Sequence, residues 1–283
     1  MFTINPFAEL SGLISPLTMQ AYVIAMVLLV AGGTILDMIH KKSARYFFEN
    51  SKKQQKNATR TVSSGEKASL AVKTVANEVL TSSEFSNPRR RISHLFTMYG
   101  FILFAATTAI MIFGYTSPGT TTPVILPLLW HLGALMLCFG GYWFWFFIRV
   151  DLFSEAKPWY QLARADLFIV SLLLTATFAL IWSFFQSAGV QVADTLFFVL
   201  FIGAATILFG GVLWSKFAHM FFKPAAAFQK RVTKADGSAE NLPDLGELTD
   251  PALQEKFPDI PEYLGKNPPN MGPGIKRESP NHY

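Results

Sequence analysis

Long stretches without a charged residue are the feature that most constrains this chain. No Asp, Glu, Lys or Arg occurs between Arg91 and Arg149, between Asp166 and Asp194, or between Asp194 and Lys216. An apolar run of about 18 residues or more is long enough to cross the hydrocarbon core of a bilayer as a helix. The sequence therefore predicts an all-α membrane protein, a bundle of about five transmembrane helices.

The apolar runs define the spans and divide the chain into segments. The predicted spans are Leu17–Ile39, Leu95–Tyr115, Val124–Ile148, Leu167–Ala188 and Thr195–Ser215. We interpret residues 1–39 as an N-terminal segment with the first transmembrane helix, and residues 40–93 as a basic loop. Residues 94–223 are then a four-helix membrane region, and residues 224–283 are a proline-rich cytoplasmic tail. From Lys234 onwards, the prolines of this tail prevent a long helix.

The basic loop contains the pattern of a short amphipathic helix. Ser63 stands three residues before Glu66, a spacing typical of a helix capping box. Apolar residues follow at roughly helical spacing, namely Leu70, Val75, Val79 and Leu80. We expect this helix to lie on the membrane or on a partner.

Basic residues predict the orientation of the bundle. Residues 40–93 hold half of the 24 Lys and Arg residues, whereas the connections Thr116–Pro123 and Gly189–Asp194 hold none. By the positive-inside rule, the N-terminus lies outside and the C-terminus is cytoplasmic, in a multi-pass protein of the cell inner (cytoplasmic) membrane. The basic residues flank apolar segments, so the pI near 9.2 indicates contact with membrane lipids and not with nucleic acid.

Several chemistries lack the residues that they need. The single cysteine, Cys138, excludes a disulfide within the chain and an iron–sulfur cluster held by cysteines alone. The sequence has no P-loop, GxGxxG, HExxH, CxxC or nucleophile-elbow motif. We therefore predict no catalytic residue, and no self-contained hydrolase, kinase or soluble dehydrogenase.

Three of the five histidines are candidate haem ligands because they lie in or at the ends of spans. His94 opens span two and His219 closes span five at the same membrane face, while His131 lies about two turns into span three from the other face. A histidine that faces lipid headgroups is the alternative for the first two. Small residues after His131 would admit either a flat ring or a neighbouring helix, namely Gly133, Ala134, Gly140 and Gly141. His40 and His282 are interpreted as solvated residues.

Further polar residues stand at the ends of spans. Lys216, His219 and Lys223 share one face at helical spacing. That face would bind an anionic propionate, a quinone carbonyl or an acidic partner; the alternative is a basic collar that extends towards the headgroups. The carboxylates at span ends, which are Asp37, Asp166 and Asp194, are interpreted as solvated or as helix caps.

Four of these segments resemble the membrane cytochrome b family that includes the gamma subunit of respiratory nitrate reductase. They are RRRISHLFTMYGFILF, WHLGALMLCFGGYWFWFFIR, DLFIVSLLLTATF and WSKFAHMFFKP, and the resemblance covers about residues 90–225. Within the family, the chain is similar to membrane subunits of quinone-interacting oxidoreductase and heterodisulfide-reductase-like complexes. It is also similar to membrane anchors of dissimilatory adenylylsulfate reductase. The resemblance thus implies a role in sulfur metabolism.

The resemblance also implies a cofactor and partners. His94, His131 and His219 match positions that hold histidine in haem-bearing relatives, whereas Leu200 and Phe201 stand where a fourth histidine is expected. This implies haem b, one haem and not two, with His94 and His219 as the metal ligands. The chain would be a non-catalytic or quinone-reactive subunit that passes electrons between cytoplasmic iron–sulfur/flavin oxidoreductase subunits and quinone. The alternatives are a haem-free structural anchor and, with less support, a small transporter subunit.

Overall fold

The computed structural model describes residues 1–41, 43–83, 85, 87–117, 119–150, 157–215, 217, 219–238 and 249–264. Within helices, the side chains of residues 41, 43–46, 219, 221, 259, 263 and 264 are outside this description. Every regular element in the described ranges is helical. The α-helices are α1 (Pro6–Leu10), α2 (Pro16–Lys41), α3 (Ser43–Lys56), α4 (Ser64–Thr74), α5 (Pro88–Gly114), α6 (Ile125–Trp143), α7 (Leu167–Ser187), α8 (Gln191–Gly210), α9 (His219–Ala235), α10 (Pro251–Lys256) and α11 (Asp259–Leu264).

Five of these helices are long and apolar enough to cross a membrane: α2, α5, α6, α7 and α8. This confirms the predicted fold class. The bounds of α2, α6 and α7 agree closely with the predicted spans when the π turn Phe144–Ile148 is counted with α6. Helix α5 begins earlier than predicted because the Asn87 side chain accepts hydrogen bonds from the backbone N–H of Arg89 and Arg90, at 2.9 and 3.4 Å.

The predicted end of the fifth span is wrong. Helix α8 ends at Gly210, the backbone N–H of Gly211 donates to the Ile207 carbonyl at 2.9 Å, and a 3-10 turn follows over Val212–Trp214. His219 therefore does not close this span but begins the separate helix α9. Hydropathy does not register this break because the residues that follow it are also apolar.

Two compact units are described separately. The first comprises Met1–Ala44 and Asn87–Phe221, and the second comprises Arg45–Ser86 and Phe222–Tyr283. The first unit thus combines the predicted N-terminal segment with the four-helix membrane region. The second combines the basic loop with the tail, and the predicted segment boundary at 223/224 falls inside α9, which continues through Pro224.

Glycines hold α5 and α6 together in the first unit. A Cβ atom on Gly133 would lie 2.7 Å from the backbone nitrogen of Phe104, and one on Gly140 would lie 2.6 Å from the carbonyl oxygen of Ser93. The Ser93 hydroxyl donates to the Gly140 carbonyl at 2.7 Å. Small residues of this kind let helix backbones approach closely in a membrane. Here they pack helix on helix, which is one of the two interpretations offered for these glycines.

Aromatic rings and hydroxyl groups connect the remaining helices. Helices α7 and α8 stack Trp182 on Phe201, with 5.6 Å between ring centroids. Between α6 and α7, the Tyr142 hydroxyl lies 2.8 Å from the Thr177 hydroxyl. Helix α2 is the most exposed span, with 11% of its apolar window buried. It therefore presents most of its surface to lipid.

The second unit is held by contacts between residues far apart in the sequence. The backbone N–H groups of Thr59 and Arg60 donate to the Asp236 carbonyl, at 2.9 and 3.2 Å. The Arg231 guanidinium lies 2.7 Å from the Glu78 carboxylate. The predicted helix in the loop is confirmed as α4, which continues as a π-helix over Val75–Leu80. The described part of the tail contains the end of α9 and the short helices α10 and α11.

Candidate functional site

The connectivity of the five spans gives the bundle two distinct ends. We define the basic end as the one at which α5 and α7 begin and α2, α6 and α8 end. The opposite end carries the two short connections, from α5 to α6 and from α7 to α8. Successive spans cross the bilayer in alternate directions, so the connectivity alone decides which helix ends lie together. The definition of the two ends therefore does not depend on which side of the membrane is cytoplasmic.

His94 and His219 both belong to the basic end. His94 lies in the second turn of α5 and is half-buried. His219 is the first residue of α9, so only its backbone is placed, and Lys216, the third member of the predicted basic face, is outside the described residues. Lys223, the remaining member, lies in the second unit with its ammonium 5.2 Å from the Phe85 ring centroid.

A line of phenylalanine rings connects the chain segments that carry the two histidines. Phe101 of α5 lies 6.4 Å from Phe209 of α8, and Phe209 lies 6.1 Å from Phe217. Phe217 is 3% exposed. His94 precedes Phe101 by about two turns on the same helix face, and His219 comes two residues after Phe217. The ring contacts therefore connect the middle of α5 with the end of α8 and with Phe217, while the connectivity of the spans assigns both histidines to the basic end.

His131 lies in the half of the bundle near the opposite end and is 1% exposed. Its Nδ1 is 2.7 Å from the Pro127 carbonyl oxygen, and its Nε2 is 2.8 Å from the Ser183 hydroxyl oxygen. A carbonyl only accepts, so Nδ1 carries the proton and Nε2 accepts from Ser183. The ligating lone pair of this histidine is thus engaged by a neighbouring helix.

Aromatic side chains fill the interior around His131. The cluster comprises Phe7, Phe104, Trp130, Trp182 and Phe201, and its two tryptophans are fully buried. Phe201, where the resemblance led us to look for a fourth histidine, stacks on Trp182 and is 5% exposed. Leu200, beside it, is 37% exposed and does not belong to the cluster.

The N-terminal segment closes the bundle over this aromatic cluster. The Phe7 ring packs edge-on against Trp130 and Trp182, and the Phe2 ring lies 5.0 Å from the His131 ring. The Asn5 amide donates to the Thr122 hydroxyl at 3.0 Å. A residue-by-residue interpretation of the sequence missed this cap because residues 1–15 carry no motif and are too short to span the bilayer.

The residues at the two ends differ in how well they fit a haem. Near the opposite end they do not fit, because His131 is hydrogen-bonded, Leu200 and Phe201 stand where the resemblance implies a second ligand, and the aromatic cluster occupies the interior. At the basic end the donor set fits, since two imidazoles are the usual axial ligands of a b-type haem. Among the described residues, no group of three or more His, Cys, Asp or Glu side chains forms a metal site. A haem needs only two protein ligands, so this finding does not test His94 and His219. Their role as haem ligands stays a prediction.

Sequence reasoning missed the buried ion pair at the basic end. From the sequence, Arg149 has no role beyond the end of an apolar run, and Asp166 is interpreted as solvated or as a helix cap. The structure buries both residues, with 2.5 Å between Arg149 Nη2 and Asp166 Oδ2. Asp166 stands directly before α7 but makes no side-chain cap to that helix; its Oδ2 instead accepts the Ala163 backbone N–H at 2.8 Å, at the start of the 3-10 turn Arg164–Asp166. In the sequence, the only indication of this ion pair is that Arg149 and Asp166 have opposite charges and stand at the two ends of the connection between the third and fourth spans.

The second unit presents a lysine-rich surface. Two of its acidic residues, Glu66 and Glu78, pair with Arg60 and Arg231. Hydrogen bonds from Arg60 lower the pKa of the Glu66 carboxyl below its ordinary value. The described part of this unit exposes seven lysines, namely Lys52, Lys53, Lys56, Lys67, Lys73, Lys234 and Lys256, and four carboxylates, namely Glu49, Asp250, Glu255 and Glu262. Such a surface attracts acidic partners or anionic lipids.

Fold and site together define a polytopic helical membrane protein with a separate basic unit. No protein-family model matches the chain, and no curated protein or solved structure shows detectable similarity to it.

Proposed function

We propose that this chain is the membrane-anchor and electron-transfer subunit of an oxidoreductase complex. It would link cytoplasmic iron–sulfur/flavin subunits of sulfur metabolism, of the adenylylsulfate reductase type, to quinone in the inner membrane. The basic end would face the cytoplasm, with the N-terminus outside. The observation that supports the proposal is the phenylalanine line Phe101–Phe209–Phe217, because it connects the helix that carries His94 with the residue two positions before His219.

In this proposal His94 and His219 hold one haem b. The haem supplies one-electron transfer when it is bound. His94 is positioned by α5, whose start is fixed by the Asn87 cap, and His219 is positioned by the buried Phe217 before it. The aromatic cluster near the opposite end holds no haem, so electron exchange with both the soluble subunits and quinone takes place at the basic end.

The lysine-rich surface supports the partner in the proposal. Iron–sulfur/flavin subunits that dock on it would present acidic patches, and the complementary charges would speed association. The same surface also supports the alternative function, a haem-free anchor that recruits a soluble reductase, because docking needs no cofactor. Haem and docking can therefore be tested separately.

Alanine substitution of the candidate ligands separates the two functions. We expect His94→Ala and His219→Ala to abolish electron transfer to quinone in membranes while the soluble subunits still sediment with the membrane. His40→Ala is the matched control, since His40 is exposed at the end of α2. Normal electron transfer in both variants would favour the haem-free anchor. Loss of attachment alone would indicate that these histidines serve docking.

A further inference from the structure

Arg149 is a buried cation that neither proposed function uses. It is 0% exposed and directly follows the π turn Phe144–Ile148, where its backbone N–H donates to the Phe144 carbonyl at 2.8 Å. Its guanidinium lies 4.2 Å from the Trp145 ring centroid. A π turn within a helix is rare and frequently marks a functional position. Here it brings Arg149 into the protein at the last turn of the span.

The guanidinium fastens the connection between α6 and α7 to the end of α6. It donates to the carbonyl oxygens of Pro158 and Gln161, at 2.8 and 2.5 Å, and to the carboxylate of Asp166, at 2.5 Å. A buried charge is tolerated when it is paired and hydrogen-bonded, and loss of one partner is then costly. These contacts tie Pro158, Gln161 and Asp166 to the residue that follows the π turn.

The connection so fixed presents apolar rings outwards. We name residues 157–164 the aromatic loop: Trp159, Tyr160 and Leu162 in it are 58%, 70% and 68% exposed. The Trp159 ring lies 6.3 Å from Phe146, which belongs to the π turn Phe144–Ile148 and is 44% exposed. The loop thus continues the lipid-facing surface of the span beyond the end of the helix. Lys157 and Arg164 flank the rings on either side.

We propose that the aromatic loop is an interfacial anchor that binds the lipid surface at the basic end. Trp and Tyr rings have an apolar body and a polar group, and they collect at the boundary between hydrocarbon and headgroups. Lys157 and Arg164 are placed to contact anionic headgroups. Arg149 is the positioning residue, since it holds the loop against α6. The contact between Trp159 and the exposed Phe146 favours lipid, and not a soluble protein, as the partner of this surface. The inference does not depend on whether the protein binds haem.

A fluorescent label on the loop tests this proposal. In a Cys138→Ser background, Tyr160→Cys carries an environment-sensitive dye, and the full chain is reconstituted in vesicles of phosphatidylcholine and phosphatidylglycerol. We expect nitroxide lipids to quench the dye and iodide to quench it about threefold less than a dye on Lys53→Cys, an exposed position of α3. Asp166→Asn, which keeps the side-chain size but removes the charge, should reduce the quenching by nitroxide lipids.

The outcomes that overturn the proposal are specific. Strong iodide quenching without quenching by nitroxide lipids would place the loop in water. Protection from iodide that occurs in native membranes but not in the vesicles would assign the surface to a protein partner. If Asp166→Asn does not fold, the measurements on the Tyr160→Cys protein still decide the matter.

Discussion

Two histidines show that polar side chains of the bundle lie in two different environments. His131 is satisfied on both nitrogens by Pro127 and Ser183, whereas His94 sits half-buried near the membrane boundary. The depth of both histidines could be predicted from their positions in apolar runs. The Ser183 partner could not, because it lies on another helix and depends on how α6 and α7 pack.

Removal of the Ser183 hydroxyl tests the structural role assigned to His131. Ser183→Ala leaves Nε2 without its donor, so we expect a loss of about 1 kcal/mol in unfolding free energy, the usual size of such a bond in a membrane bundle. Ser187→Ala is the control, since Ser187 is exposed and bonds only to a carbonyl of its own helix. Thermal unfolding in detergent measures both. An equal loss in the two variants, or a loss of haem in Ser183→Ala, would contradict the assignment.

Glu66 gives a pH dependence in the second unit. Its pKa is lowered by hydrogen bonds from Arg60, so the pair stabilises the folded protein above the ordinary carboxyl value of about 4.3. That contribution is lost as the pH falls through the lowered pKa of the folded protein. We therefore expect wild type and Glu66→Gln to differ slightly in unfolding midpoint at pH 7 and to converge at acidic pH. A difference that grows on acidification would reverse the predicted sign.

Whole helices show what apolar patterns determine and where they fail. Hydropathy located α2, α6 and α7 because a continuous apolar run that crosses lipid must form a helix to satisfy its backbone hydrogen bonds. It failed at the end of α8, where the break at Gly210 and Gly211 is followed by further apolar residues. It also failed at Pro224, which a sequence interpretation takes as the start of a tail although α9 continues through it.

The glycine contacts between α5 and α6 predict a sharp difference between two alanine substitutions. In Gly140→Ala the new Cβ would meet the Ser93 carbonyl oxygen at 2.6 Å, so we expect a loss of about 1–3 kcal/mol from overpacking. Gly203→Ala on α8 has no atom within 4 Å of the new Cβ and should be neutral or slightly stabilising. Unfolding in detergent compares them, and similar stabilities would show that α5 and α6 do not pack as described.

At the scale of the whole molecule, the sequence predicted the number of spans, but not that the basic loop folds with the C-terminal segment. The loop and the tail are separated by the entire four-helix region, and contacts such as Thr59 with Asp236 have no local signature. The candidate site, too, could be predicted only in part. The histidines could be identified from the sequence, whereas the phenylalanine line that connects their segments could not.

The proposed orientation can be measured directly. In a Cys138→Ser background, Lys53→Cys should react with a membrane-impermeant maleimide only in inverted vesicles. Thr121→Cys, in the connection between α5 and α6, should react only in right-side-out vesicles. The reason is the lysine-rich surface, which the positive-inside rule assigns to the cytoplasm. The reverse pattern would require the opposite orientation and would move the basic end outside the cell.

A haem count on the purified holo-complex tests the electron-transfer proposal most directly. A pyridine haemochrome assay and a reduced-minus-oxidised spectrum should show a b-type haem at about one per chain. His94→Ala and His219→Ala should lose it, and Ser183→Ala should keep it. Two haems per chain would contradict the closed aromatic cluster around His131, and a complex that contains no haem would contradict electron transfer through the basic end.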